Sequence, residues 1–246
     1  MAAGPETDAH ILLADISGYT RFLNANRVTL AHATQIVSAL LEAVIAAAPA
    51  PVRPHKIEGD AVLLAAWGKG ADAAAPLAPA AFFQAFYRRR AALAAANSCP
   101  CEACRQIPDL DLKVIAHHGR LLRHRVGRFE ELAGPDLILA HRLLKNRVAA
   151  RRYLLTSAEA WTRFTAEHPA FAGLPVERWE EECEGLGAVP VVVVREAGLL
   201  PEPPPPSPAG RGAKLADFIW KHAVLLPLLG PWLLARGRAR LAPGPR

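Results

Sequence analysis

Asp15 and Asp60 each stand where an apolar run meets a glycine-containing turn, and this is where the chain could do chemistry. Asp15 closes Ile11-Leu12-Leu13-Ala14, a run that reads as a buried strand, so its carboxylate leaves the core at the strand end. Asp60 follows Gly59 and precedes the apolar run Ala61–Trp67, which is the pattern of a tight hairpin turn. Two carboxylates placed in this way suit a hard, oxygen-preferring cation such as Mg2+ or Mn2+. Ser17-Gly18-Tyr19-Thr20 opens a turn directly after Asp15-Ile16. Its successive backbone N–H groups, with the N-terminus of the next helix, could cradle phosphate oxygens. A divalent metal and a nucleoside triphosphate could therefore meet at these two turns. Taken singly, each aspartate could equally be ordinary turn chemistry.

Their order along the chain, with two further runs, narrows the reading. Asp111-Leu112-Lys113-Val114-Ile115-Ala116-His117-His118-Gly119 comes next, followed by Glu131-Leu132-Ala133-Gly134-Pro135-Asp136-Leu137-Ile138-Leu139-Ala140-His141-Arg142-Leu143. The series resembles the catalytic domain of class III adenylate/guanylate cyclases over roughly residues 10 to 195. It is most similar to a bacterial branch whose last motif reads His-Arg-Leu-Leu-Lys-Asn, here His141 to Asn146.

The resemblance implies roles position by position. Asp15 and Asp60 match the two metal-binding aspartates, with the backbone carbonyl of Ile16 as a further ligand of a two-ion site. Such a metal pair activates the ribose 3′-hydroxyl and neutralises charge on the phosphoryl group under attack. Ser17, Gly18, Tyr19 and Thr20 match the substrate-binding turn. Lys56 matches the lysine that reads the purine edge, and Glu131 falls where those enzymes place an aspartate beside the base. Arg142 matches the arginine that stabilises transition-state charge, a role suited to a fixed planar cation. Ile138 stands where active cyclases carry an asparagine that orients the ribose. Losing one such contact costs on the order of a hundredfold in rate, so a slow enzyme and a nucleotide-binding signalling module without turnover are both in view. The family also implies a homodimer, with the aspartates contributed by one subunit and the base-reading pair and arginine by the other. Read from the residues alone, Lys56 could be an exposed strand-edge cation and Arg142 the partner of a carboxylate on its own helix. His117 and His118 read as strand residues, because the family chemistry needs no imidazole base.

The elements that must position these groups are legible as periodicities. Leu30, Ala33, Val37, Leu40, Leu41 and Val44 recur at helical spacing, predicting an amphipathic helix over Thr29 to Ala48. Two strands flank Gly59-Asp60, and Asp72 to Ala96 reads as one long helix with Phe82, Phe83 and Phe86 in the core. Leu112 to Ala116 reads as a strand, Pro135 to Arg147 as a helix opened by proline, and Tyr153 to Thr156 and Val189 to Arg195 as late strands. The sum is an α/β (α+β) fold with a ferredoxin-like βαββαβ core, its helices packed on a mainly antiparallel sheet.

Charge and composition divide the chain into a domain over 1–200, a proline-rich linker over 201–208 and a tail over 209–246. Seven basic residues from position 209 onward, set against Asp217 alone, account for the whole formal charge of +6. The domain is thus formally neutral and offers nothing that calls for nucleic acid. Pro201-Glu202-Pro203-Pro204-Pro205-Pro206-Ser207-Pro208 should be an extended spacer. The apolar stretch Ala223–Ala235 is shorter than the roughly 18 to 20 residues a spanning helix needs. With its flanking arginines it could meet a membrane surface, or fold back onto the domain or a partner. Met1 to His10 has no basic and apolar signal pattern, so a cytoplasmic setting with reduced thiols is expected. Cys99, Cys101 and Cys104 could then hold a structural Zn2+ if His117, His118 or Cys183 supplies a fourth ligand, or could form a redox-responsive loop.

Overall fold

Strand β1 (Glu6–Ser17) is buried on both faces and forms the spine of the molecule. Alternation along it sends Ile11 and Leu13 to one face and Leu12, Ala14 and Ile16 to the other, all with almost no exposure. Burying each of these larger side chains contributes about 1.5 to 3 kcal/mol. The computed structural model describes residues 5–25, 30–195 and 208–222.

After β1 the chain forms helices α1 (Tyr19–Ala25) and α2 (Leu30–Ala46), then the hairpin β2 (Arg53–Glu58) and β3 (Ala61–Ala66). Helices α3 (Ala71–Ala74) and α4 (Ala78–Ala96) lead through α5 (Glu102–Arg105) to the long strand β4 (Asp111–Val126) and its hairpin partner β5 (Phe129–Ala133). Then come α6 (Pro135–Leu143), β6 (Tyr153–Ser157), α7 (Ala158–Glu167), β7 (Val176–Cys183), β8 (Gly187–Arg195) and α8 (Arg211–His222). Among the described residues the strands form one sheet in the order β2-β3-β1-β4-β6-β8-β7, with β5 pairing β4. Among the described residues only the β4–β6 pair is parallel. The order β4-β1-β3-β2 is the ferredoxin-like core expected from the sequence, and the remaining strands extend it.

Helices cover both faces. Leu12, Ala14 and Ile16 pack with Ile36 and Leu40 of α2, Phe82, Phe83 and Phe86 of α4, and Phe164 of α7. On the other face Ile11, Leu13, Leu63 and Ile115 pack with Ala140 and Leu143 of α6.

Three expectations need correction. The helix predicted over Asp72 to Ala96 is broken into α3, a 3-10 turn at Ala75–Leu77, and α4, because Pro76 and Pro79 lack the N–H that would continue the ladder. The helix predicted to reach Arg147 ends at Leu143, where the Asn146 side chain donates to the Leu143 carbonyl (2.7 Å). The strand at Leu112 to Ala116 runs on to Val126, since His117 to Leu122 continue the pairing with β1 and Leu122 to Val126 pair with β5.

Of the tail, α8 packs on α4, and the buried Asp217 accepts hydrogen bonds from the N–H and Oγ of Ser98 (3.2 and 3.3 Å). The linker up to Ser207 and the apolar stretch after His222 lie outside the described residues. Among the described residues no helix is long and apolar enough to cross a membrane.

Candidate functional site

Asp15, near the end of β1, and Asp60, in the turn of the β2–β3 hairpin, come together. Asp15 is in register with Ala61 of β3 on one side and Lys113 of β4 on the other. The Ile16 N–H donates to the Asp60 carbonyl (3.1 Å), which fixes the Gly59-Asp60 turn against the end of β1. Burial pushes the Asp60 carboxyl up to about 6, and the charge of Asp15 adds to the shift. Lys113 Nζ lies 2.8 Å from Asp15 Oδ2 and donates to the Leu144 carbonyl (3.3 Å). Burial alone would lower the Lys113 ammonium, yet Asp15, helped by Tyr153 and Asp60, turns the net shift upward. Two carboxylates thus face one ammonium in a partly desolvated corner, a donor set still short of positive charge.

Gly18 turns the chain after β1 with φ +91°, a backbone conformation that favours glycine, and a Cβ there would have to displace the Arg151 guanidinium. Arg151 bridges the elements at this point by donating to the carbonyls of Ser17 (3.2 Å) and Asp109. A cavity of about 380 Å³ opens beside the turn, with Arg21, Gln106 and Arg151 in its wall. Tyr19 and Thr20, read from the sequence as part of the turn, instead begin the short helix α1.

Lys56 and Glu131, far apart in sequence, meet: Lys56 Nζ lies 3.4 Å from Glu131 Oε2. The edge strand β2 presents the lysine and β5 presents the glutamate, and both are substantially exposed, so the pair contributes under about 1 kcal/mol. His141 of α6 adds a contact to Glu58 (3.5 Å) beside them. Arg142 Nη1 pairs with Glu184 Oε2 (2.6 Å), in the turn between β7 and β8, rather than with a carboxylate on its own helix. Ile138 is 54% exposed on α6, outside this chain's core.

Sequence reasoning missed Lys113, Arg21 and Arg151. A lone lysine inside an apolar strand was the available signal for Lys113, because a buried ammonium needs a carboxylate partner. No local pattern marks the two arginines.

His117 and His118 of β4 are held in contacts within the fold. His117 links Ser157 Oγ (2.8 Å) to Asp136 Oδ1 (3.1 Å), while His118 pairs with Glu159 (3.1 Å). Although the first set has the connectivity of a hydrolytic triad, Ser157 is buried as the N-cap of α7, and Asp136 also accepts the Arg120 N–H (2.7 Å). These commitments also correct the expected fourth partner of the cysteines. His117 and His118 are engaged elsewhere, and Cys183 packs in the layer beneath α6. The residue beside Cys99, Cys101 and Cys104 is His32 of α2. It escaped notice because it is distant in sequence and sits within an amphipathic helix pattern.

A family model described as a protein of unknown function (DUF2652) matches residues 37–153. Uncharacterized protein Rv2561/Rv2562 of Mycobacterium tuberculosis is 38% identical over 117 residues, which make up 47% of this chain and 54% of that protein. The chain therefore spans about half the length of this curated relative. Among solved structures, adenylyl cyclase CyaB from P. aeruginosa superposes with a TM-score of 0.57 at 13% identity, covering 80% of this chain and 98% of that one. A class III adenylyl cyclase-like ATP-binding protein from Pseudomonas aeruginosa gives 0.53 at 14% identity, covering 64% of this chain and 35% of that one. The chain has the fold of the class III nucleotidyl cyclase catalytic domain.

Proposed function

We propose that this chain is a metal-dependent nucleotidyl cyclase-like domain that joins the ribose 3′-hydroxyl of ATP or GTP to the α-phosphate and releases pyrophosphate. The observation that carries the reading is the Asp15–Asp60 pair, with one carboxyl pushed up to about 6 and a single ammonium opposite. Hard oxygen donors short of positive charge fit Mg2+ or Mn2+, and Asp15, Asp60 and the Ile16 carbonyl would hold the two ions. Bound there, such ions lower the pKa of the 3′-hydroxyl and neutralise phosphoryl charge. Lys113 offers a further positive charge to a triphosphate lying across the site, and the Ser17-Gly18-Tyr19-Thr20 turn offers backbone donors. Lys56 and Glu131 would read the purine edge, one donating and one accepting. Arg142 would stabilise the charge that develops on the phosphates, contributed from the second subunit of a homodimer.

The test is product formation by the full chain with Mn2+ and ATP or GTP, read by separation of cyclic nucleotide. Activity that disappears in Asp15→Ala and in Asp60→Ala is expected. Nucleotide binding without product would overturn the enzymatic reading.

That outcome is the second reading, a signalling module that binds nucleotide but does not turn it over. Ile138 in place of the ribose-orienting asparagine favours it, as does the engagement of Arg142 by Glu184. Ile138→Asn separates the two. A gain of about tenfold or more in rate would mean that the missing amide limits an otherwise assembled site, and no gain favours the binding module.

A further inference from the structure

We propose that His32, Cys99, Cys101 and Cys104 form a structural zinc site that pins the α5 segment to α2. The four ligand atoms lie within 4.8 Å of one another. His32 Nδ1 faces all three thiols, at 3.4 Å from Cys101 Sγ, 3.7 Å from Cys99 Sγ and 4.0 Å from Cys104 Sγ. A tetrahedral ion with Zn–S near 2.3 Å and Zn–N near 2.0–2.1 Å sets its nitrogen and sulfur ligands about 3.6 Å apart. The observed nitrogen–sulfur distances bracket that value, and the ligand atoms need only draw in around an ion for it to fit.

Donor type and surroundings point the same way. Three thiolates and one imidazole make a closed ligand set of borderline-soft donors, the kind that selects zinc over Mg2+ or Ca2+. An iron–sulfur cluster spreads its thiolates over several irons, whereas ligand atoms this close suit a single ion. His32, Cys99 and Cys104 are buried and Cys101 is partly so, which keeps water from the ion and gives it a structural role. None of the cysteines is in a disulfide, and an odd trio could not be fully paired within itself.

The segment is shaped to hold these positions. Asn97 clamps Cys99 by donating from Nδ2 to its carbonyl (3.1 Å) and accepting its N–H at Oδ1 (3.0 Å). Cys101 is the N-cap of the one-turn helix α5, which carries Cys104 inward. Between Ala96 and Asp111 the chain has only this turn and a 3-10 turn at Ile107–Asp109, so little regular hydrogen bonding holds it. A zinc ion would add a cross-link to α2 beyond the packing of Ala103, Cys104 and Ile107 in the core. Gln106, Asp109 and Leu110, just beyond, line the cavity beside Gly18, so the ion would also steady one wall of that cavity. The proposal does not depend on the cyclase reading, which uses none of these four residues.

The full chain, purified without chelator under reducing conditions, is expected to carry about one zinc per molecule by elemental analysis. Co2+ exchanged into the site is expected to give the intense visible bands of a tetrahedral thiolate complex. Cys101→Ser, at the most exposed ligand, and His32→Ala should each lose most of the zinc and change the cobalt spectrum. Asp72→Asn, in the separate His10–Asp72–His118 group, should leave both unchanged. Less than about a tenth of an equivalent of zinc in folded protein, with no cobalt bands when the metal is offered, would overturn the proposal. So would full zinc retention in Cys101→Ser and His32→Ala. Failure of the cyclase assay would leave these readings intact.

Discussion

Asp60 ionises against its surroundings, since its carboxyl is partly withdrawn from water and Asp15 brings a second negative charge beside it. Its pKa rises from an ordinary 3.8 to about 6 on folding, so ionisation opposes the folded state. The opposition is absent while the group is protonated in both states, grows as pH rises from about 4 to about 6, and is complete above that. Asp60→Asn should therefore melt above the native chain near pH 7.5 without added Mg2+ or Mn2+, by on the order of 1 to 2 kcal/mol after solvent screening. The gap should close near pH 4. Thermal melts at the two pH values check this, and an equal gap at both would mean that the side chain's charge is not what strains the site. Mn2+ should narrow the gap at neutral pH, because a cation relieves the native pair and not the amide variant.

Helix α6 is the element through which the candidate site is assembled. Its first turn is placed by Gly134, which has φ +142° and would put a Cβ 2.9 Å from the Arg120 carbonyl oxygen of β4. Backbone cannot yield as a flexible side chain can, so Gly134→Ala should cost about 1 to 3 kcal/mol in chemical denaturation. A cost indistinguishable from zero would mean that the β5–α6 junction adjusts freely. At the other end, the His-Arg-Leu-Leu-Lys-Asn motif closes the helix. Leu143 is buried, the Leu144 carbonyl accepts from Lys113, and Asn146 donates to the Tyr153 hydroxyl oxygen (2.8 Å). The motif thus ties Arg142 on one helix to the lysine that faces Asp15 on β4.

At the scale of the molecule, the proposed chemistry is divided between the aspartates at the β1 tip and Arg142, which in this chain is held by Glu184. If two copies complete each other's sites, Asp15→Ala and Arg142→Ala should each be inactive alone and active when mixed. Half of the dimers would then be mixed, each with one whole site, giving about a quarter of the native rate. Mixtures no more active than the separate variants would argue for a site within one chain. The tail enters at this scale as well, since α8 lies on α4 and Asp217 caps the loop that leads into Cys99.

The central strands, α2, the hairpin at Gly59-Asp60 and the pair Asp15 and Asp60 were legible in the chain itself. Apolar periodicity and turn chemistry are local properties, and the order of the motifs carried the family resemblance. Strands β5 and β7 and helix α7 were not legible. β5 (Phe129–Ala133) is short with two adjacent glutamates, and β7 (Val176–Cys183) carries four glutamates; what makes each a strand is its pairing with β4 or β8. The meeting of Lys56 with Glu131, the capture of Asp15 by Lys113, and the convergence of His32 on three cysteines were decided only by the tertiary structure. Each joins residues from separate elements, and a through-space distance is fixed by how the sheet and helices pack, which no local spacing encodes.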